Sequence, residues 1–190
     1  MIRKKLQEHL KAPLIADFTL NIFPSNYIVM DAADKHGRCE ELPIYKKGIE
    51  IFDVVDQISK LIPKDNEMLQ CIKSEMIVDA ANLTVKIAGA EGAGLYDIKM
   101  EAAAIIRKSA RDLMVTNHSL EAFDFKEVYY FKIVRDLLEE YRLLFIEWVA
   151  GFDRLDYIID RWGLFNPPGV GPFDKDPDDD IPFDGKVGDQ

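Results

Sequence analysis

The residue types best suited to proton transfer near neutral pH are three histidines, His9, His36 and His118, and they stand far apart in the sequence. None sits in a Glu-x-x-His or His-Glu-x-x-His arrangement, so a di-iron carboxylate or zinc-protease site is not expected. Cys39 and Cys71 make neither a Cys-x-x-Cys pair nor a disulfide framework, and read as two reduced thiols of a cytoplasmic protein. Gly89-Ala-Glu-Gly92-Ala-Gly94 has the wrong spacing for a phosphate loop and follows a helical pattern, so it reads as a helix stop and loop. Glu139 and Glu140 are adjacent on a helical pattern, which turns their carboxylates about 100° apart onto a solvated face. No nucleophile, base and orienting group come together. The expectation is a protein that is not an enzyme, with no cofactor and no metal.

One cluster could instead bind anions. Arg107, Lys108 and Arg111 share one helical stretch, with Arg107 and Arg111 a turn apart on one face; Lys86 and Lys99 lie nearby in sequence. These cations suit a phosphate backbone, above all if repeated around an oligomer. They equally suit ion pairs with Glu101, Asp112 and neighbouring carboxylates. Asp79 and Asn82 interrupt an apolar stripe and suit a helix boundary, a subunit contact or a pocket.

The chain that must position these groups has 190 residues, 48% hydrophobic and 31% charged, which fits a folded domain with a sizeable core. No apolar run reaches the roughly 18 residues of a membrane span. The basic N-terminus lacks the apolar core of a secretory signal. Net charge is −10, which argues against non-specific nucleic-acid binding. Residues 156–190 hold nine acidic and three basic groups, so −6 of that charge sits in the last part of the chain.

Hydropathy periods divide the chain into an N-terminal extension (1–44), a helical bundle (45–163) and an acidic Pro/Asp-rich tail (164–190). The extension reads as a short helix over 1–12 and a β-hairpin with strands Phe18–Phe23 and Tyr27–Met30. A first helix is predicted from about Ile44 to Leu61, and a second from about Glu67 to Ile87, capped by Asp65 or Asn66. A third spans about Leu95 to Val115, with an inner stripe of Ile98, Ala102, Ile105, Ser109 and Leu113. A loop over residues 117–123 follows, and Asp124 with Glu127 resembles a capping box for the fourth helix. Short loops favour an all-α, antiparallel up-down-up-down four-helix bundle.

The fourth helix carries the strongest pattern in the chain. Phe131, Val134, Leu138, Tyr141, Phe145, Trp148, Phe152, Leu155, Ile159 and Trp162 keep a strict heptad, with Tyr130, Ile133, Leu137 and Leu144 as a second stripe. A continuous helix to Gly163 would protrude past its partners, and Gly151 with Asp153 marks a kink or break. Two stripes suggest a bundle core and an oligomer contact. Beyond it, Pro-Phe-Asp occurs twice, at Pro172–Asp174 and Pro182–Asp184. This tail is either a disordered solubilising segment or a short motif whose Phe173 and Phe183 anchor in a partner.

The order and spacing of several stretches resemble a known family. These are Tyr45-Lys-Lys-Gly with Ile58-Ser-Lys-Leu-Ile-Pro63, Asn82-Leu-Thr-Val-Lys-Ile-Ala-Gly-Ala90, Tyr96-Asp-Ile-Lys-Met-Glu-Ala-Ala-Ala104 and Arg107-Lys-Ser-Ala-Arg-Asp-Leu-Met114. From about Tyr45 to Phe152 the chain looks like the four-helix-bundle proteins encoded in 23S ribosomal RNA intervening sequences. It also looks like their relatives, the accessory proteins of diversity-generating retroelements. That resemblance implies a non-catalytic homo-oligomer, typically a pentameric ring. It further implies partnership with a reverse transcriptase and with RNA or DNA, through Lys86, Lys99, Arg107, Lys108 and Arg111. The chain departs from the pattern in its acidity, its extension and its tail. The alternative is a structural or adaptor protein acting through protein contacts of the bundle and tail, without nucleic acid.

Overall fold

A computed structural model describes residues 39–176, and among these the protein is all-helical, with four α-helices and no strand. The predicted N-terminal helix and hairpin and the second Pro-Phe-Asp with Phe183 lie outside the described residues.

Helix α1 spans Pro43–Ser59, α2 Glu67–Ala93, α3 Tyr96–Ala122 and α4 Phe131–Ala150, the last preceded by a 3-10 turn over Val128–Tyr130. Pro43 opens α1, where a missing N–H leaves nothing unsatisfied. Asn66 caps α2, its Oδ1 accepting the Leu69 N–H at 3.1 Å. The second helix runs on through Gly89 and Gly92, which were expected to form a loop; it stops at Gly94, whose φ of 82° is the left-handed conformation glycine tolerates.

Helix α3 likewise runs past its predicted end. Residues 117–122 stay helical because Asn117 and Leu120 face the core, and the chain turns only at Asp124, with φ 62°. Asp124 and Glu127 form no capping box; Asp124 pairs with Lys126 instead. The buried stripe of α3 is Ala102, Ala103, Ile106, Ser109, Leu113 and Leu120, so Ile106 takes the place expected of Ile105, and Ile98 is exposed.

The core is a continuous apolar layer from all four helices, including Ile51, Val55, Met76, Leu83, Ile87, Ile106, Leu113, Phe131, Val134, Leu138 and Tyr141. Burying each large side chain contributes about 1.5–3 kcal/mol. Three helices meet at the Leu83 carbonyl, which accepts the Tyr141 hydroxyl at 2.8 Å. Gly48 lets α1 approach that point, since a Cβ there would lie 2.6 Å from Thr84 Cγ2 and 3.0 Å from the Leu83 oxygen. Asn82 Nδ2 donates to Ser109 Oγ at 3.0 Å, and Glu91 pairs with Lys99 at 3.3 Å. These contacts join α2 to α3. Asn82, expected at a boundary or subunit contact, serves this contact within the chain.

The fourth helix ends at Ala150 and does not continue to Gly163. The Gly151 N–H closes onto the Glu147 and Trp148 carbonyls, both at 3.2 Å. Asp153 Oδ1 then accepts the Leu155 N–H at 2.9 Å and turns the chain away. No protruding helical arm results. Phe131, Val134, Leu138 and Tyr141 are buried, and Phe145 and Trp148 are partly buried against the core, so the first part of the seam is used within the chain. Beyond the break, Phe152 and Ile159 are buried by a non-helical path, whereas Leu155 and Trp162 point into solvent.

Candidate functional site

Residues 151–176 have no regular secondary structure, yet they are fixed at both ends. The anchor on the helices is aromatic. Phe152 meets Trp148 edge-on at 4.7 Å between centroids and Tyr96 at 6.5 Å. Trp148 Nε1–H donates to Glu91 at 2.8 Å, and the same carboxylate holds Lys99, whose ammonium lies 5.5 Å from the Phe152 ring centroid. The start of α3 supplies two more ties. The Tyr96 N–H donates to the Asp156 carbonyl at 2.7 Å, and Asp97 accepts the Ile158 N–H at 3.1 Å.

The loop beyond is organised by one carboxylate. Asp160 Oδ1 accepts the Trp162 N–H at 2.8 Å, and Oδ2 accepts those of Leu164 at 2.7 Å and Phe165 at 2.9 Å. Asn166 brackets the Asp160 backbone from both sides, accepting its N–H at 2.7 Å and donating to its carbonyl at 2.9 Å. The Phe165 N–H, helped by those of Trp162 and Leu164, holds the Asp160 carboxyl below the ordinary carboxylate range. Arg161 Nη1 bridges to the carbonyls of Pro172 at 3.0 Å and Asp174 at 2.9 Å, closing the far end. Gly163, at φ 72°, supplies the left-handed turn between them.

This fixed loop holds its large apolar side chains outward. Trp162 is 90% exposed, Phe173 96%, Leu155 87% and Leu164 75%. An exposed apolar group on a rigid frame is the informative kind, because ordering it brings no burial within the chain. Phe173 was singled out in the sequence as a motif residue. Trp162 and Leu164 were not read as part of such a surface, because the heptad assigned Trp162 to a helix. The usable signal was local: Asp160, Gly163, Asn166, Pro167 and Pro168 within nine positions are turn-forming residues, at odds with a helix.

The cations do not converge. Lys99 is drawn into the Glu91–Phe152 anchor, and Lys108 pairs with Asp112 at 2.6 Å. Lys86 lies half-buried on α2. Arg107 and Arg111 are exposed on the outward face of α3, with no ion pair among the described residues.

Elsewhere, a cleft of about 450 Å³ lies between the end of α3, the 3-10 turn and the start of α4. Asn117 lines it, buried, with an Oδ1 that has no hydrogen-bond partner among the described residues. Asp79, near Ser109 on the α2–α3 contact, has its carboxyl pushed up by burial. Cys39 is buried in the core, and burial together with the charges of Glu91 and Glu40 pushes its thiol up to about 11. Among the described residues no group of three or more ligating side chains could hold a metal ion, and no helix is long and apolar enough to cross a membrane. Comparison with protein-family models, with curated proteins and with solved structures gives no match to this chain.

Proposed function

We propose that this protein is a non-catalytic, cytoplasmic, oligomeric adaptor that works through protein–protein contacts. The observation that carries this reading is the exposure of Trp162, Leu164 and Phe173 on a loop fastened by Asp160, Asn166 and Arg161. Tryptophan in particular is enriched where binding energy concentrates, and a loop held in advance loses little entropy on docking. For the scaffold we propose an antiparallel up-down-up-down four-helix bundle akin to the ribosomal-intervening-sequence and retroelement accessory proteins. Supporting it, α1 packs on α2 and α4, and α3 packs on α2 and α4. Tyr141 reaches Leu83 while Trp148 reaches Glu91, which aligns α4 with α2 in the same sense.

The test is site-specific photo-crosslinking in cells, with the reactive group placed at position 162 or 173 and a control at exposed Lys64. A discrete protein adduct from the loop positions and none from the control is expected. Equal or absent crosslinking at all three positions would remove the loop as the working surface.

A second reading, accessory binding of RNA or DNA beside a reverse transcriptase, is favoured by Arg107 and Arg111, which make no ion pair among the described residues. It predicts salt-sensitive binding that an Arg107→Ala/Arg111→Ala double variant loses. Unchanged binding in that variant would end it.

A further inference from the structure

Two surfaces exposed among the described residues differ in chemistry. The loop offers aromatic and aliphatic side chains, Trp162, Phe173, Leu155 and Leu164. It also exposes the carboxylates Asp153, Asp156 and Asp174 together with the cations Arg154, Arg161 and Lys175, Arg161 being tied to the carbonyls of Pro172 and Asp174. The outward face of α3 offers Arg107 and Arg111 a turn apart. Exposed Ala104 and Val115 lie on the same face one turn before and one turn after, with Lys108 alongside. Ala104 puts a small side chain next to Arg107 on this face, with exposed Glu101 on its other side, and Val115 adds an apolar footing. Guanidinium groups stack on tryptophan and pair with carboxylates, so the Arg107/Arg111 pair suits the exposed aromatic rings and carboxylates of the loop.

The two faces do not meet within one chain. The loop is tied to the first turn of α3 through Tyr96 and Asp97, and Arg111 lies about 21 Å further along the helix at 1.5 Å per residue. We propose that the loop of one copy docks, through Trp162 and Phe173, on the Arg107/Arg111 face of a second copy of this chain. The contact is head-to-tail, because the two surfaces differ, and it repeats from copy to copy into a closed ring or an open filament. This assignment rests on reading the loop as a docking element and names its occupant. It also sets self-assembly and nucleic-acid binding in competition for the same two arginines.

Native mass spectrometry on the full chain tests it with three proteins: wild type, Trp162→Ala/Phe173→Ala and Arg107→Glu/Arg111→Glu. All substituted side chains are exposed, and circular dichroism checks that each variant keeps its helices. The expected result is a multimeric wild type and two monomeric variants. Mixed one to one, the variants should regain a single complementary interface and form heterodimers that go no further. A wild-type monomer would overturn the second copy as occupant while leaving the loop to bind another protein. A multimer that survives Trp162→Ala/Phe173→Ala would overturn the second copy as occupant, and the docking role of the loop would then stand or fall on the photo-crosslinking at positions 162 and 173. Variants that are monomeric alone and fail to pair when mixed would also overturn the head-to-tail contact.

Discussion

The helices and the loop after them are stabilised in different ways. In residues 43–150 order comes from many apolar side chains buried together, and most single contacts there have neighbours that can compensate. In residues 151–176 Phe152 and Ile159 are the large apolar anchors, and order beyond them comes from a few polar groups, with Asp160 alone fixing three backbone N–H groups. The first design is robust, and the apolar side chains it exposes, such as Val78, Leu143 and Ile146, stand on helices whose order does not depend on them. The second is vulnerable at one carboxylate, and it frees its apolar side chains for contact. Function in this chain is therefore sought where apolar residues are ordered without being buried.

Substitutions can break or sharpen this contrast. The largest effect is expected at the joint between the two regions. Trp148→Asp removes the hydrogen bond to Glu91, opposes that carboxylate with a like charge and empties the aromatic anchor of Phe152. A loss of about 3–5 kcal/mol is expected in urea unfolding; near-wild-type stability would show that the anchor is dispensable. Gly48→Ala should follow, at about 1–3 kcal/mol, because its methyl collides with Thr84 and the Leu83 carbonyl. Tyr141→Phe loses one buried hydrogen bond and should lower stability by about 0.5–1.5 kcal/mol in the same assay.

Asn117 sharpens the comparison from the other side. Its buried Oδ1 has no partner among the described residues, so Asn117→Leu should leave thermal stability unchanged or raise it by up to about 1 kcal/mol, whereas a clear loss would reveal a partner outside them. The smallest effect on global stability, with the largest on local order, belongs to Asp160. Its folded-state pKa lies below the ordinary carboxylate value. Its contribution is therefore present above that value and is lost as pH falls through the folded pKa, so the loop should loosen below about pH 4 while the helices persist. The amides of Trp162, Leu164 and Phe165 report the loop by hydrogen exchange across this pH range, and far-ultraviolet circular dichroism reports the helices.

The sequence was legible where structure repeats. The spacing of Val134, Leu138 and Tyr141 marked a buried helix face, and Asn66 was a readable cap. Ile106 was missed for Ile105 because a stripe inferred from one helix carries no information on how its neighbour is rotated. Gly89 and Gly92 were misread as loop residues because glycine weakens a helix without ending one, and a Cβ at either would meet nothing. The end of α4 at Gly151 was hidden by a heptad that continued in letters to Trp162. Phe152 and Ile159 do reach buried positions, but along a path set by Asp153, Asp160 and Asn166, whose hydrogen bonds have no period to detect. The basic cluster looked like one patch in sequence. It separates because Lys99 lies about 80° around α3 from Arg107, on the side where Glu91 and Phe152 capture it.

The central claim is that the loop is formed before any partner arrives. Amide hydrogen exchange followed by NMR tests it at single residues. The amides of Trp162, Leu164 and Phe165 should be protected in the wild type and lose protection in Asp160→Asn, with the helices unchanged in both. Exchange of those three amides at free-peptide rates in the wild type would contradict the account.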